Sequence, residues 1–259
     1  MTEVIALPAF DDNYIWLLRR DGVSTCVVVD PGDEDPVIEY LEAHELTLSD
    51  ILITHKHGDH TGGVRELKRR WPDARVCGPA HEPIAVVEKK LREGDAVALD
   101  ELQLNLQVLD VPGHTESHIA YFGNGLLFCG DTLFAGGCGR VFSGTFEQLS
   151  DSLRRIAGLP KETLVYCAHE YTLANLGFAK WVEPENTELL QRIQDDQRQR
   201  ARGLPTVPST LKLELATNPF LRTGQPAVIA AAEKWAGSTL SGHREVFRAL
   251  RQWKDRDYD

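Results

Sequence analysis

The sequence predicts an α/β fold, a layered sheet carrying a polar site at its edge, followed by a small α-helical domain. Three observations predict it. Apolar, β-branched runs alternate with helix-period segments up to about residue 170. Four of those runs end at, or just before, a histidine or an aspartate. Beyond Tyr171 the strand-like runs stop and the apolar spacing becomes that of helices. The expected domains are therefore residues 1–173, bearing the site, and residues 174–259, helical.

Each element has its own justification. Ile15-Trp16-Leu17-Leu18 and Cys26-Val27-Val28-Val29 are apolar runs joined through the turn signal Arg20-Asp21-Gly22. The second ends in Asp30-Pro31-Gly32. From Pro36 the spacing of Val37, Ile38 and Leu41 predicts a helix. Asp50-Ile51-Leu52-Ile53 reads as a buried strand, and Val64, Leu67 and Trp71 then fall at helical spacing. Val108-Leu109-Asp110-Val111, Leu126-Leu127-Phe128-Cys129-Gly130 and Leu164-Val165-Tyr166-Cys167-Ala168 are further strands. In the C-terminal part, helices are expected around Leu189, Leu190 and Ile193, over residues 227–235 and over residues 242–254. Leu204-Pro205-Thr206-Val207-Pro208-Ser209 reads as a loop.

Between the strand at Ile53 and the helix at Val64 lies Thr54-His55-Lys56-His57-Gly58-Asp59-His60. In extended backbone His55 and His57 point the same way, because side chains alternate. The chain then turns, and Asp59 and His60 can face a second point. Imidazole and carboxylate suit zinc, iron or manganese. A polar, histidine-rich loop is the bland alternative, and the density of His-x-His-x-Asp-His on a strand end argues against it. Three more strands lead to His114, Asp131 and His169. None of these is specific alone, since a histidine after a Pro-Gly turn is usually a surface residue. Their joint occurrence carries the argument.

Composition narrows the function classes. Net charge is -11, which disfavours nucleic acid or an anionic membrane as a partner. The five cysteines, Cys26, Cys77, Cys129, Cys138 and Cys167, are widely spaced, with no Cys-x-x-Cys pair, and form a poor disulfide framework. No long apolar stretch or basic leader is seen at Met1-Thr2-Glu3-Val4-Ile5, so a cytoplasmic protein is expected. A Gly-x-Ser-x-Gly elbow is absent, which argues against a serine hydrolase.

With Pro112-Gly113-His114-Thr115, Phe128-Cys129-Gly130-Asp131-Thr132, Gly137-Cys138-Gly139-Arg140 and Cys167-Ala168-His169-Glu170-Tyr171-Thr172, the metal turn resembles the metallo-β-lactamase superfamily and, more narrowly, glyoxalase II, the hydroxyacylglutathione hydrolases. Ser209-Thr210-Leu211 and Thr217-Asn218-Pro219-Phe220-Leu221-Arg222 also match that narrower family. The resemblance implies an αββα sandwich with a small C-terminal α-helical substrate-binding domain. It implies two divalent metal ions, with zinc expected first and iron or manganese as alternatives. His55, His57 and His114 would bind one ion, Asp59, His60 and His169 the other, and Asp131 would bridge. It further implies hydrolysis of a glutathione thioester, S-D-lactoylglutathione, to glutathione and D-lactate through a metal-bridging hydroxide, the last step of methylglyoxal detoxification.

Arg140, Phe142, Tyr171, Arg251 and Lys254 match the family's substrate contacts. Arg and Phe stand where many relatives have Lys and Tyr, which keeps the charge and the ring but loses a hydroxyl. Arg251 and Lys254 are three apart and share a helix face, so a solvated face is their bland reading. Asp30 matches an aspartate that supports a metal-binding histidine from behind, and equally reads as a turn-initiating residue before proline. Ala9-Phe10-Asp11-Asp12-Asn13-Tyr14 resembles the family's start, with no role derivable for Asp11, Asp12 or Asn13. His118 reads as an ordinary hydrogen-bonded histidine, and His44, His81 and His243 as surface residues. Cys138, in a glycine turn near the site, is ranked structural.

The expected partner is a small glutathione thioester, with no nucleic acid and no membrane, and a monomer is expected. Rival readings are other metallohydrolases of the fold, a mononuclear-iron sulfur dioxygenase and a non-catalytic binding protein. The complete ligand set and the long helical C-terminal part count against the last two.

Overall fold

A computed structural model describes residues 2–258. Its strands are β1 (Thr2–Ala9), β2 (Asn13–Arg20), β3 (Thr25–Val29), β4 (Thr47–Leu52), β5 (Arg75–Pro79), β6 (Lys89–Leu91), β7 (Ala96–Leu99), β8 (Leu104–Asp110), β9 (Ile119–Gly123), β10 (Leu126–Gly130), β11 (Leu133–Phe134), β12 (Gly137–Cys138), β13 (Leu164–Cys167) and β14 (Ser209–Thr210). The helices are α1 (Asp35–Ala43), α2 (Gly58–Thr61), α3 (Val64–Arg70), α4 (Phe146–Ala157), α5 (Thr172–Val182), α6 (Thr187–Ala201), α7 (Leu211–Thr217), α8 (Pro226–Ala236) and α9 (Gly242–Trp253). Among the described residues no helix is long and apolar enough to cross a membrane.

Internal contacts divide the chain into two compact units. One comprises the residues up to Asp110 with Ser117–Gly130, and the other Val111–Glu116 with the residues from Asp131 on. In the first unit, β1 to β6 form a sheet in sequence order. Its β1, β2 and β3 are antiparallel neighbours, and β3 to β6 run parallel. Parallel neighbours need crossovers, and α1 and α3 supply two of them. Val37 and Leu41 of α1 and Val64 and Leu67 of α3 pack with Leu17, Val28, Ile51 and Val76 in one fully apolar cluster. The helical periodicity read from those four residues is thus the sheet-covering face. A second, antiparallel run of β7, β8, β9 and β10 completes this unit. Tyr121 in β9 donates to the carbonyl oxygen of Ile53, at the end of β4, at 2.8 Å.

The parallel pairing of β3 and β4 matters most for the site. Both strands end at the same edge, with Val29 opposite Leu52. Asp30, next after β3, and Thr54, two residues after β4, are thereby made neighbours. Ligand-binding groups on α/β sheets collect at this carboxyl edge.

The second unit is mainly helical, with two short strand pairs, β11 with β12 and β13 with β14. Helix α4 opens with a capping box, in which Thr145 accepts from the Gln148 amide and the Gln148 side chain accepts from the Thr145 amide. Leu176, Ala179 and Leu189 form an apolar cluster between α5 and α6. Ion pairs tie α4 to α9, Arg244 with Asp151 at 2.5 Å and Arg248 with Glu147. The expected helices at Leu189, at residues 227–235 and at residues 242–254 are present as α6, α8 and α9. Sequence reading did not single out β5, β6, β7, β9, β11, β12 or β14, each five residues or fewer. Strands this short carry too few alternations to register as a period.

All five cysteines are buried and none forms a disulfide. Burial pushes the Cys26 and Cys167 thiols up to about 12, and Cys77 and Cys138 up to about 11. The thiolate is the reactive form, so these groups are inert at neutral pH. In the folded protein a thiol reagent such as Ellman's should label none of the five, and in guanidinium all five. Stoichiometric labelling of one cysteine under native conditions would contradict this burial.

Candidate metal centre

In the first unit the ligand turn is built around Asp30. Its Oδ1 accepts from the Thr54 amide at 2.7 Å, and its Oδ2 accepts from the Thr54 hydroxyl at 2.7 Å. The same Oδ2 lies 3.0 Å from His60 Nδ1. An ionised carboxylate only accepts, so the Thr54 proton and a proton on His60 Nδ1 both point to it. With its one proton committed, the Thr54 oxygen accepts from His55 Nδ1, 3.1 Å away. The network therefore assigns the Nδ1-protonated tautomer to both His55 and His60. Each is left with a lone pair on Nε2, as metal ligation requires. Both readings of Asp30 find a contact: its side chain supports His60, and its carbonyl accepts from the Gly32 amide at 2.9 Å, as in a turn.

Those Nε2 atoms meet other donors of the turn. His55 Nε2 lies 3.1 Å from His57 Nδ1, and His60 Nε2 lies 3.3 Å from Asp59 Oδ2. His55 meets His57, as alternation in extended backbone predicts, and the adjacent Asp59 and His60 meet each other after the chain turns into α2. Asn13, at the start of β2, donates its amide to Asp59 Oδ2 at 3.1 Å. Asn13 is thus a positioning residue that sequence reading left as a loop residue, since an Asn before a strand is an ordinary turn residue. His118 is fully buried and stacks on His55 with ring centroids 4.6 Å apart. A Cβ on Gly32 would stand 1.9 Å from the Asp59 carbonyl oxygen, so the Asp30-Pro31-Gly32 turn can close on the ligand turn only with glycine there.

The second unit holds a parallel arrangement. His114 Nδ1 lies 2.8 Å from the Arg140 carbonyl oxygen, which can only accept. Its Nε2 lone pair therefore faces Asp131 Oδ2, at 3.4 Å. The other oxygen, Oδ1, lies 3.4 Å from His169 Nε2. A Cβ on Gly139 would come within 2.0 Å of the Asp131 carbonyl oxygen, which accounts for a glycine in the Gly137-Cys138-Gly139-Arg140 motif. Phe142 meets His114 edge-on at 5.1 Å between centroids, and Tyr171 stacks on His169 at 4.7 Å. Both aromatics are exposed, Phe142 by 66% and Tyr171 by 38%, and so are available as a wall for a ligand.

Arg251 and Lys254 are not on a solvated face, being 1% and 6% exposed. Arg251 donates to the Cys138 carbonyl at 3.0 Å and to Asp255 at 2.9 Å. Asp255 also lies 3.6 Å from Arg140 Nε. Burial works against the Arg251 charge, but its acidic neighbours outweigh it and hold the guanidinium protonated.

The donor set fits metal ions. An imidazole lone pair facing a carboxylate oxygen is repulsive unless a cation lies between them. Bond lengths of about 2.0–2.2 Å place neighbouring ligands of a tetrahedral ion about 3.4 Å apart. The His60–Asp59, His114–Asp131 and His169–Asp131 separations, at 3.3, 3.4 and 3.4 Å, lie at that edge length. These His/Asp clusters are suited to divalent metal. Asp30→Asn should weaken metal affinity about 10- to 100-fold, because the amide puts donors where three protons already point. Competition with a chromophoric chelator measures this, and unchanged affinity in a folded variant would refute the role given to Asp30.

Comparison with known proteins agrees with this geometry. A family model described as the metallo-beta-lactamase superfamily matches residues 9–169, and one described as the hydroxyacylglutathione hydrolase C-terminus matches residues 170–257. A hydroxyacylglutathione hydrolase of Pseudomonas putida (strain GB-1) is 55% identical, covering 98% of this chain and 99% of its own length. The crystal structure of ETHE1 from Myxococcus xanthus matches with a TM-score of 0.68 at 24% identity, over 100% of this chain and 93% of that one. A second structure, TTHA1623 in a di-iron-bound form, matches at a TM-score of 0.58 and 26% identity, over 85% of this chain and 100% of that one. Matched end to end at this identity, the chain belongs to the hydroxyacylglutathione hydrolase family, within the metallo-β-lactamase superfamily.

Proposed function

We propose that the protein hydrolyses S-(2-hydroxyacyl)glutathione, with S-D-lactoylglutathione the substrate, giving glutathione and D-lactate. This is the closing step of methylglyoxal detoxification. The observation that carries the reading is Asp131, whose two oxygens each face a different histidine, as a residue shared by two ions must. We assign His55, His57 and His114 to one ion, Asp59, His60 and His169 to the other, and Asp131 to both, on the family resemblance and the donor chemistry. The ions would be zinc, with iron the alternative that the di-iron form of TTHA1623 exemplifies. When bound, such ions supply Lewis acidity toward a carbonyl and activate water at neutral pH.

The chain's own residues do the rest. Asp30 and the Arg140 carbonyl hold histidine protons on Nδ1. Asn13 holds Asp59. In the proposal Phe142 and Tyr171 flank the thioester, Arg140 and Lys254 meet glutathione's carboxylates, and Arg251, 1% exposed and bonded to the Cys138 carbonyl and Asp255, adds its charge from behind them. The leaving group is a thiolate, whose parent thiol has a pKa of about 8.5, so it departs without a strong general acid. No acid needs to be found among the ligands. We take residues 174–259 as the substrate-binding domain, and the protein as a cytoplasmic monomer, in keeping with its reduced cysteines.

The test is hydrolysis of S-D-lactoylglutathione beside a lactone and a phosphodiester, with metal analysis of the same sample. Thioester turnover that is lost on chelation and restored by divalent metal is expected. Turnover of the lactone or phosphodiester alone would overturn the substrate assignment. Asp59→Ala should lower kcat far more than it raises KM, because removing a ligand costs stabilisation of the transition state. Lys254→Ala should do the opposite, raising KM for the glutathione thioester about ten- to a hundredfold with little change for a small thioester lacking the peptide. An unchanged KM for Lys254→Ala at low salt would remove that residue from the binding site.

A further inference from the structure

The hairpin of β11 and β12 runs from Leu133 to Cys138, two residues after Asp131 and two before Arg140. It joins the residue proposed to share the metals to the Arg140–Phe142 segment proposed to recognise the peptide. A two-residue strand pair is too short to be stable alone. Its backbone groups are instead held by side chains from elsewhere in the second unit. Asn218 donates its amide to the carbonyls of Phe134, at 3.2 Å, and Gly137, at 2.9 Å. Asn175 donates to Ala135 at 3.1 Å, and Arg251 donates to Cys138 at 3.0 Å. Glu214 accepts from the Gly136 amide at 2.8 Å.

Glu214 is completely buried, and its carboxylate is itself satisfied by donors. It accepts from Arg192 at 2.7 Å, Ser209 at 2.6 Å and Asn218 at 3.2 Å. Burial opposes the Arg192 charge, but Glu214 and Asp196 more than offset this and keep it protonated. A buried ion pair of this kind is not justified by stability, since a well-packed apolar pair does as well or better. Its geometry is specific. Through the Gly136 amide and through Asn218, the Glu214 carboxylate reaches one turn of backbone.

We infer that Asn218 and Glu214 are positioning residues, which clamp the β11–β12 hairpin and so fix the spacing between Asp131 and the Arg140–Phe142 recognition segment. The inference rests on the functional reading above for what that segment recognises, and has a readout that does not. The two ends of Asn218 do different work. Its Oδ1 accepts from the Phe220 amide at 3.1 Å and caps the following turn, while its Nδ2 alone holds the hairpin. Asn218→Asp keeps the acceptor, removes the donor and sets a carboxylate against that of Glu214, 3.2 Å away, so Asn175→Ala, which adds no charge, is measured beside it.

Two measurements on the metal-loaded, full-length protein decide it. Hydrogen exchange should show the amides of the hairpin and of Gly139 to Phe142 opening about tenfold faster in Asn218→Asp, with β1 to β5 unchanged. Kinetically, KM for the glutathione thioester should rise about tenfold, while KM for a small thioester lacking the peptide stays put. A purely structural role would instead lower the amount of folded protein and depress both substrates alike. Should Asn218→Asp fail to fold, Asn175→Ala releases the Ala135 carbonyl alone and is expected to shift both readouts the same way by less. Unchanged hairpin exchange overturns the clamp whatever the substrate is. Hairpin loosening with the ratio of the two KM values unchanged overturns its role in recognition. A wild-type protein that spares the glutathione thioester counts against the functional reading, and the exchange result still decides the clamp.

Discussion

The structure of the ligand turn depends on one carboxylate. Asp30 accepts hydrogen bonds from the Thr54 amide, the Thr54 hydroxyl and His60 Nδ1, and through the hydroxyl it sets the proton on His55. A neutral histidine ligates only through the nitrogen that lacks the proton, so tautomer choice precedes metal choice. The parallel pairing of β3 and β4 makes this arrangement possible, because it puts Asp30 and Thr54 side by side without any loop searching. In the second unit a backbone carbonyl, that of Arg140, does the same for His114. Two different acceptors therefore reach one chemical result.

Much of this was legible in the sequence, and for a physical reason. Strands that end in ligands announce themselves twice, by an apolar run and by a polar terminus. The β4 and β10 ends and the turn at His114 could be read that way, as could the convergence of His55 with His57 and of Asp59 with His60. What could not be read were the supports. Asn13 looks like any residue opening a strand, yet it holds Asp59. Glu214 and Asn218 lie near Pro219, where polar residues suggest a surface turn, yet both are fully buried. Arg251 sits on an amphipathic helix whose pattern permits a solvated face, and only its contacts with Cys138 and Asp255 show otherwise. Helical periodicity reports which residues are apolar, and it is blind to a buried charge with a partner far along the chain.

The second unit uses charge in two ways that should be kept apart. The pairs between α4 and α9, such as Arg244 with Asp151, are half-exposed, and contacts of that kind contribute about 0–1 kcal/mol each. They are not what orders the helices, which the apolar face of Val246, Phe247 and Leu250 does. The Arg192–Glu214 pair is buried on both sides, at 2% and 0% side-chain exposure, and breaking it by removing one member costs far more than forming it ever returned. Sequence gives both kinds the same letters. Depth alone separates decoration from framework.

The buried thiols have a consequence for the chemical company the protein is proposed to keep. Thiol–disulfide exchange needs a thiolate and an open line of approach to sulfur. A glutathione-releasing hydrolase meets both glutathione and its disulfide continuously, and an accessible cysteine would accumulate mixed disulfides as a by-product of its own turnover. Cys138 lies within the turn that leads to Arg140, where such an adduct would block recognition outright. It is protected both by burial and by its weak acidity, with its thiol pushed up to about 11 by burial even though Arg251 pulls the other way. Resistance to S-glutathionylation is in this sense a property of the packing, obtained without removing the cysteine.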